Sequence, residues 1–500
     1  MEFIVCDVDS INAGQIVVDC RFNIEGGKSV SKVLSVSAKP YLTMCDVVNG
    51  EVRCSGKVCF KLVCLSEQDD IICCENISEF NESFKSEKII ENCKCAIDFN
   101  LVDVTTPSIK TNEVKVACVL DAVLCSTYNQ TKQCEEECFE NACVQKEIVD
   151  VWENTQNFDE VFDIVDEIKV KDNMDRIVCY DVNLSIKDSF ASIGFVCVSG
   201  DVTYSFIYEK EEEGQKKLMH FSQVLPFKQE MSLSESKKES FLKVSLNANV
   251  SDIKVNVILD NATNIVKFET PVRARGELFE NKLVNCVADG YMEEYESKLE
   301  FDDFMALTQP SKQVFESVEK GDFELGGEGE YTLIGYTAQN VTLVNVSKKQ
   351  QGVAVEGLIG VNVILSYEGA VTSINCEYPF KTELSLTSSA NAKAELSLND
   401  IDIRLTGEML NIECKVGYFI YCCDKFTKRY VCRIEKGEQK PKSDCALEII
   451  FARENQTLFE IGKEFSISEK TLLEQNKDIT LPLKEGDKLV VYRQKIVDFN

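Results

Sequence analysis

Ser199-Gly200-Asp201-Val202-Thr203-Tyr204-Ser205-Phe206-Ile207-Tyr208 is the stretch from which the architecture can be read. A glycine leads, and Val202, Tyr204, Phe206 and Tyr208 follow at every second position. That period puts one parity on the buried face of a strand and the other on its opposite face. The same frame begins at Ser55-Gly56-Lys57-Val58 and again at Glu356-Gly357-Leu358-Ile359. Each strand then turns and returns to a second landmark: Glu79-Phe80, Pro226-Phe227 and Pro379-Phe380, lying 23, 26 and 22 residues after the leading glycine. The length differences fall in polar turns. Tyr367-Glu368-Gly369-Ala370 is short enough for a tight hairpin, whereas Glu209-Lys210-Glu211-Glu212-Glu213-Gly214 is a longer solvated loop. Loops tolerate such variation where paired strands do not.

Further alternating runs follow in each copy, at Val114–Leu120, Lys254–Leu259 and Ile401–Leu405. Five hundred residues, at roughly 150 per domain, accommodate three such units and one more module. The predicted fold class is mainly β: three tandem β-rich repeat domains at 1–150, 151–310 and 311–433, then a small βααβ domain. Boundaries are expected near the acidic, helix-compatible stretches around 134–165 and 293–320. Residues 434–445, polar with Gly437 and Pro441, read as a linker. Beyond them, 446–492 change pattern. Leu447-Glu448-Ile449-Ile450-Phe451 is a short strand. Thr457-Leu458-Phe459-Glu460 is a capping box opening a helix whose Leu458, Ile461 and Phe465 share a face. Ser468 caps a second helix carrying Leu472 and Leu473, and Leu489–Tyr492 supply a closing strand.

Composition narrows function. Lys and Arg number 54 against 84 Asp and Glu, a net charge of −30, which excludes a nucleic-acid binder that must displace counterions from phosphate. A hydrophobic content of 44% is that of a folded protein. The N-terminal Met1-Glu2-Phe3-Ile4-Val5-Cys6-Asp7 lacks a basic stretch and a continuous apolar run, and no segment approaches the roughly 18 apolar residues of a membrane span. A cytoplasmic protein with no direct membrane insertion is expected. In that reducing setting the 24 cysteines read as small hydrophobes suited to strands, and no paired CxxC motif occurs. Cys134-x3-Cys138 with Cys143 is the best metal candidate, and plain packing is the preferred reading of it. No spacing among the thiols supports an oxidative crosslinking role.

Residues 446–492 resemble a LysM domain. The match is carried by Gln456-Thr457-Leu458, Ile461-Gly462-Lys463-Glu464-Phe465, Leu473-Glu474-Gln475-Asn476 and the terminal Glu485-Gly486-Asp487-Lys488-Leu489. Where the family has Gly-Asp before Thr-Leu, this chain has Asn455-Gln456. The resemblance implies binding of N-acetylglucosamine polymers through the loops after strand one and helix two. The altered first loop and the missing export signal make glycan binding doubtful and leave the same groove open to a protein partner. Tandem Gly-strand-turn-strand-Pro-Phe units followed by such a module resemble the SipL family of spore-coat morphogenetic proteins, whose repeats are SPOCS domains. Ala288-Asp289-Gly290-Tyr291 is similar to the Asp-Ala-Tyr that closes such a domain. The family resemblance implies a non-enzymatic scaffold in the mother-cell cytoplasm, with no cofactor. It implies docking of the coat-basement morphogenetic ATPase through the LysM domain and recruitment of coat to the forespore surface. Self-association is compatible with it. The groove residues selected for partner binding are Asn455, Gln456, Thr457, Leu458, Asn476, Lys477, Asp478 and Ile479. The alternative from another class is a peptidoglycan-binding, wall-associated protein.

No phosphate loop of the form GxxxxGK[ST] occurs, and the acidic Gly321–Gly329 reads as a flexible inter-domain segment. The single histidine, His220, has no accompanying nucleophile pattern and reads as a strand residue. Asp302-Asp303, Glu135-Glu136-Glu137 and Glu211-Glu212-Glu213 read as solvated charge. An enzyme is not expected.

Overall fold

The computed structural model describes residues 2–24, 29–48, 50–86, 89, 93–110, 113–133, 139, 141–234, 236–260, 263–327, 329–386, 391–441 and 445–492. The chain is mainly β, with 79% of the described residues in strands and 4% in helices. Three successive units share one strand order. In the first, β1 (Glu2–Asn23) leads into a three-stranded meander of β2 (Val30–Val48), β3 (Glu51–Ser66) and β4 (Ile71–Lys85). Then come β5 (Lys94–Val104), β6 (Ser108–Lys110) and β7 (Glu113–Gln133), and β7 inserts between β1 and β5 to form a second sheet. The second unit repeats this with β8 (Ala142–Val170), the meander β9 (Arg176–Ser192), β10 (Phe195–Glu212) and β11 (Gln215–Ser232), then β12 (Phe241–Ala248), β13 (Lys254–Asp260) and β14 (Thr263–Met292). Again the last strand lies between the first and β12. In the third unit the first strand is split into β15 (Tyr295–Leu307) and β16 (Ser311–Glu324). The meander is β17 (Tyr331–Lys349), β18 (Gly352–Tyr367) and β19 (Ala370–Ser385). β20 (Ala392–Thr406) precedes the split last strand, β21 (Met409–Cys422) and β22 (Lys425–Gln439), and β21 lies between β16 and β20.

In each unit the meander packs face to face on the second sheet. Val58, Phe60, Leu62 and Cys64 of β3 meet Val114, Val116, Cys118 and Leu120 of β7, all buried. Burying each large apolar side chain contributes about 1.5–3 kcal/mol. The recurring glycine and phenylalanine explain one another in this packing. Gly56 pairs across the ladder with Phe80, Gly200 with Phe227 and Gly357 with Phe380. At Gly56 and Gly357 the phenylalanine ring lies in the volume a Cβ would occupy; at Gly200 the Ser185 carbonyl takes that volume and the Phe227 ring lies beside it at 3.0 Å. An aromatic ring thus covers the exposed backbone of a strand glycine and restores the contacts the missing side chain would have made.

The units form a closed set, each touching the other two. The Tyr421 hydroxyl accepts from Val244 N at 2.9 Å and donates to Val244 O at 2.8 Å, joining unit three to unit two. Arg273 and Arg275 donate to Leu42 O at 2.8 and 2.6 Å, joining two to one. Asn362 donates to Leu34 O at 3.1 Å, joining three to one. An apolar hub of Leu34, Val63, Ile71, Val178, Ile207 and Ile364 brings the three meanders together. At the other end, the outer halves of β1/β7, β8/β14 and the β15/β22 pair are stems. They converge on Val5, Val151, Cys286, Phe304 and Tyr430.

The stems account for what composition left ambiguous. The described parts of 134–165 and 293–320 are strand rather than helix. Along 158–168, Phe158, Phe162, Ile164 and Ile168 share the inward parity while Asp159, Asp163 and Glu167 stand exposed on the other; elsewhere acids share the inward parity, as at Glu153 and at Asp302 beside Phe304. β22 likewise continues through Gln439, into the segment read as linker. Gly321 lies within β16 against the Tyr378 ring, and Leu325 is buried, so this end of the Gly-rich segment is packed strand. No helix among the described residues is long and apolar enough to cross a membrane.

A candidate partner-binding module

The C-terminal residues form the βααβ order that their pattern predicts: β23 (Leu447–Phe451), α1 (Leu458–Phe465), α2 (Glu469–Gln475) and β24 (Lys488–Tyr492). Each short helix is started by a side-chain cap. Glu460 N donates to Thr457 Oγ1 at 3.2 Å while Thr457 N donates to Glu460 Oε2 at 2.7 Å, a reciprocal capping box. Thr471 N donates to Ser468 Oγ at 3.3 Å. The helices and the two-stranded sheet close on a core of Ala452, Leu458, Ile461, Ile467, Leu472, Leu483, Leu489 and Val491.

The eight residues selected from sequence divide by this geometry. Leu458 is 7% exposed and belongs to the core, and Ile479 packs against it. Thr457 is committed to the cap. Asn476 donates to Leu472 O and Val490 O, both at 2.8 Å, and accepts from Val490 N at 2.6 Å, tying α2 to β24. Gln456 accepts from Arg453 N at 3.1 Å and shapes the first loop. Asn455, at a left-handed φ of 60°, is exposed beside it, and Lys477 and Asp478 are exposed on the second loop.

A second surface was not selected from sequence. On the outer face of the β23/β24 pair, Leu447, Ile449 and Phe451 are 56%, 50% and 63% exposed. Tyr492, directly opposite Leu447, is 56% exposed. The alternation in 447–451 was legible as a strand, but nothing in it told which parity would face out.

The module is seated on the stem of the second unit. Tyr291, near the end of β14, donates from its hydroxyl to Ile467 O at 2.7 Å, and its ring meets Phe459 edge-on at 5.2 Å. Burial, with the Cys143 thiol beside it, pushes the Tyr291 hydroxyl well above its ordinary pKa, so it remains a donor. Lys463 pairs with Asp289 at 2.6 Å, and Lys440 donates to Ser466 Oγ at 2.8 Å and to Met292 O at 2.9 Å. Gly462 packs under the Tyr291 ring edge where a side chain would overlap it. The Asp289-Gly290-Tyr291 segment therefore docks α1 and leaves the β23/β24 face outward.

Other sequence candidates fall elsewhere. His220 lies on β11 with its ring 4.3 Å from that of Tyr336 in the third unit, and burial pulls its pKa down to about 4. Asp302 pairs with Lys132 at 3.0 Å and accepts from Tyr430, so it ties two stems together, while Glu212 pairs with Lys217 at the β10–β11 turn. Cys134, Cys138 and Glu135-Glu136-Glu137 lie outside the described residues. Cys143 is on β8, its thiol pKa raised by burial. Among the described residues no group of His, Cys, Asp and Glu is arranged to hold a metal ion.

Residues 173–258 match the family model described as SipL, SPOCS domain. The matched span runs from just before β9 into β13, covering the meander of the second unit and part of its facing sheet. Neither the curated proteins nor the solved structures contain a match to this chain. Over the matched span the chain is SipL-like, which associates it with sporulation- and coat-related proteins.

Proposed function

We propose that this protein is a non-enzymatic scaffold for spore-coat assembly. It acts in the mother-cell cytoplasm and docks a protein partner, the coat-basement morphogenetic ATPase, through a LysM-like C-terminal domain. The three β units act as a rigid mount, and the module seated on Tyr291 presents its binding surface to the partner. The observation that carries this reading is the family match at 173–258. Two features agree with it. The apolar side chains Ile449 and Phe451 stand outward on the module, as an aromatic and aliphatic anchor for a protein interface would. The net charge of −30 keeps the chain soluble and repels anionic lipid, so recruitment to a membrane-bounded surface requires a bridging protein.

The test is localisation of the full chain, fluorescently tagged, in sporulating cells. A ring around the forespore that disperses when the partner ATPase is deleted is the expected result. A diffuse signal refutes the reading. Retention of the purified protein on insoluble peptidoglycan would instead favour the glycan-binding alternative, through the loops bearing Asn455 and Lys477.

A further inference from the structure

The side chains of Lys393 and Cys125 meet across the seam between the third and first units. Cys125 lies on β7 and is 6% exposed, and Lys393 lies on β20. The Lys393 Nζ to Cys125 Sγ distance is 2.7 Å. The thiol hydrogen bonds of Cys45, Cys93, Cys423 and Cys432 are longer, at 3.5 to 3.9 Å. The amine and the sulfur are therefore closer than an ordinary thiol contact in this protein, and close enough for one oxygen atom to bridge them. Both side chains line an inter-unit cavity of about 490 Å³, and Lys393 also lines a neighbouring one of about 560 Å³, so a small oxidant has a route to the pair.

We propose that Lys393 and Cys125 form an oxidation-dependent N–O–S crosslink that staples unit three to unit one, with a peroxide as the oxidant. The first peroxide oxidises the thiol to a sulfenic acid: an Sγ–O bond forms, the peroxide O–O bond breaks and one water leaves. The second joins Nζ to that oxygen. Its own O–O bond breaks, the sulfenic O–H and one amine N–H are lost, and two waters leave. Sulfur and nitrogen each give up two electrons, and each peroxide accepts two. Two equivalents of a dithiol reductant, each oxidised to its disulfide, supply four electrons and four protons and return the free amine, the thiol and one water.

The test is titration of the reduced full-length protein with hydrogen peroxide, followed by intact-mass and peptide mass spectrometry. The expected result is a gain of about 14 Da, one oxygen gained and two hydrogens lost, located in a joined peptide pair containing Lys393 and Cys125. Dithiothreitol should reverse it. Lys393→Arg keeps the positive charge but removes the primary amine, so it should abolish the joined pair and leave Cys125 with simple oxygen adducts. Cys125→Ser should abolish both. The proposal is overturned if the wild-type protein carries Cys125 as thiol, sulfenic or sulfinic acid with Lys393 unmodified throughout the titration. It is equally overturned if the joined pair persists in Lys393→Arg.

Discussion

If ring-over-glycine packing organises each meander, Gly357 and Phe380 must be energetically coupled. A methyl group added at Gly357 would overlap the Phe380 ring and stand 2.8 Å from Thr342 O. Gly357→Ala alone should therefore cost about 1–3 kcal/mol, as overpacking does in a filled core. Phe380 is 6% exposed and belongs to the third unit's core. Phe380→Ala alone should cost about 3–5 kcal/mol in lost burial and residual cavity. In the double variant the new methyl occupies space the ring has vacated, so most of the overpacking cost disappears. The two changes should then fall short of additivity by roughly 1–2 kcal/mol, well beyond the few tenths expected of independent sites. Rescue stays incomplete because the Thr342 carbonyl does not move with the ring. A protein of several units does not unfold in one step, so the assay is amide hydrogen exchange of β18 peptides in the intact chain, which reads local opening free energy. Additivity within about 0.5 kcal/mol would refute the pairing as the origin of the repeated motif.

Other perturbations read other parts of the structure. Tyr291→Phe deletes the hydrogen bond to Ile467 O and should weaken module docking by about 0.5–1.5 kcal/mol, seen as faster proteolysis at residues 440–446 with β18 exchange unchanged. His220, held at about 4 against an ordinary value of 6.5, resists a proton that the unfolded chain accepts. The stability of the β11–β17 contact should therefore fall as pH drops from 6.5 towards 4 and stay level above 6.5, and His220→Phe should flatten that slope in exchange experiments. Ile449→Asp with Phe451→Asp, on an exposed face, should change module stability by no more than about 0.5 kcal/mol each. The same pair should abolish capture of the proposed ATPase partner; unchanged capture would move the interface to the Asn455 and Lys477 loops.

What sequence could and could not say follows from the range of the interactions. The Gly–Phe frame was legible because both members lie on neighbouring strands and recur at nearly constant spacing. The helix caps at Thr457 and Ser468 were legible because a cap and the backbone N–H that donates to it are three residues apart. The stems were misread as helix-compatible because their acids fall on both parities of the ladder and blur the alternation: Asp163 is exposed, whereas Asp302 shares the parity of Phe304 and Glu319 that of Phe315. The seams were invisible: Tyr421 and Val244 are 177 residues apart, and so specific a bond leaves no local pattern. The binding list mixed structural with exposed residues for a related reason. Asn476 holds α2 to β24 through Val490, a contact across the turn that the family motif does not distinguish from a surface role.

The seams also explain how so acidic a chain holds its units together. At each one, lysines from one unit meet carboxylates of the next: Lys39 with Asp181, Lys57 with Asp252, Lys132 with Asp302 and Lys312 with Asp188. Pairs of this partly exposed kind contribute about 0–1 kcal/mol each and weaken in salt, so they orient the units more than they bind them. Cohesion must come from the two apolar hubs, around Ile207 at the meanders and Phe304 at the stems. Cys125 and Lys393 meet at a cavity that interrupts the seam's packing, where charged Asp98, Lys243, Arg275 and Glu395 line the wall alongside apolar side chains. A covalent bridge adds most where the non-covalent seam is weakest, because it removes opening motions that the hubs at either end do not restrain. High salt should therefore loosen the cavity-lining strands β5, β12 and β20 in exchange experiments before it affects either hub. Peroxide treatment should protect β20 against that loosening and leave β12, which the bridge does not touch, as mobile as before.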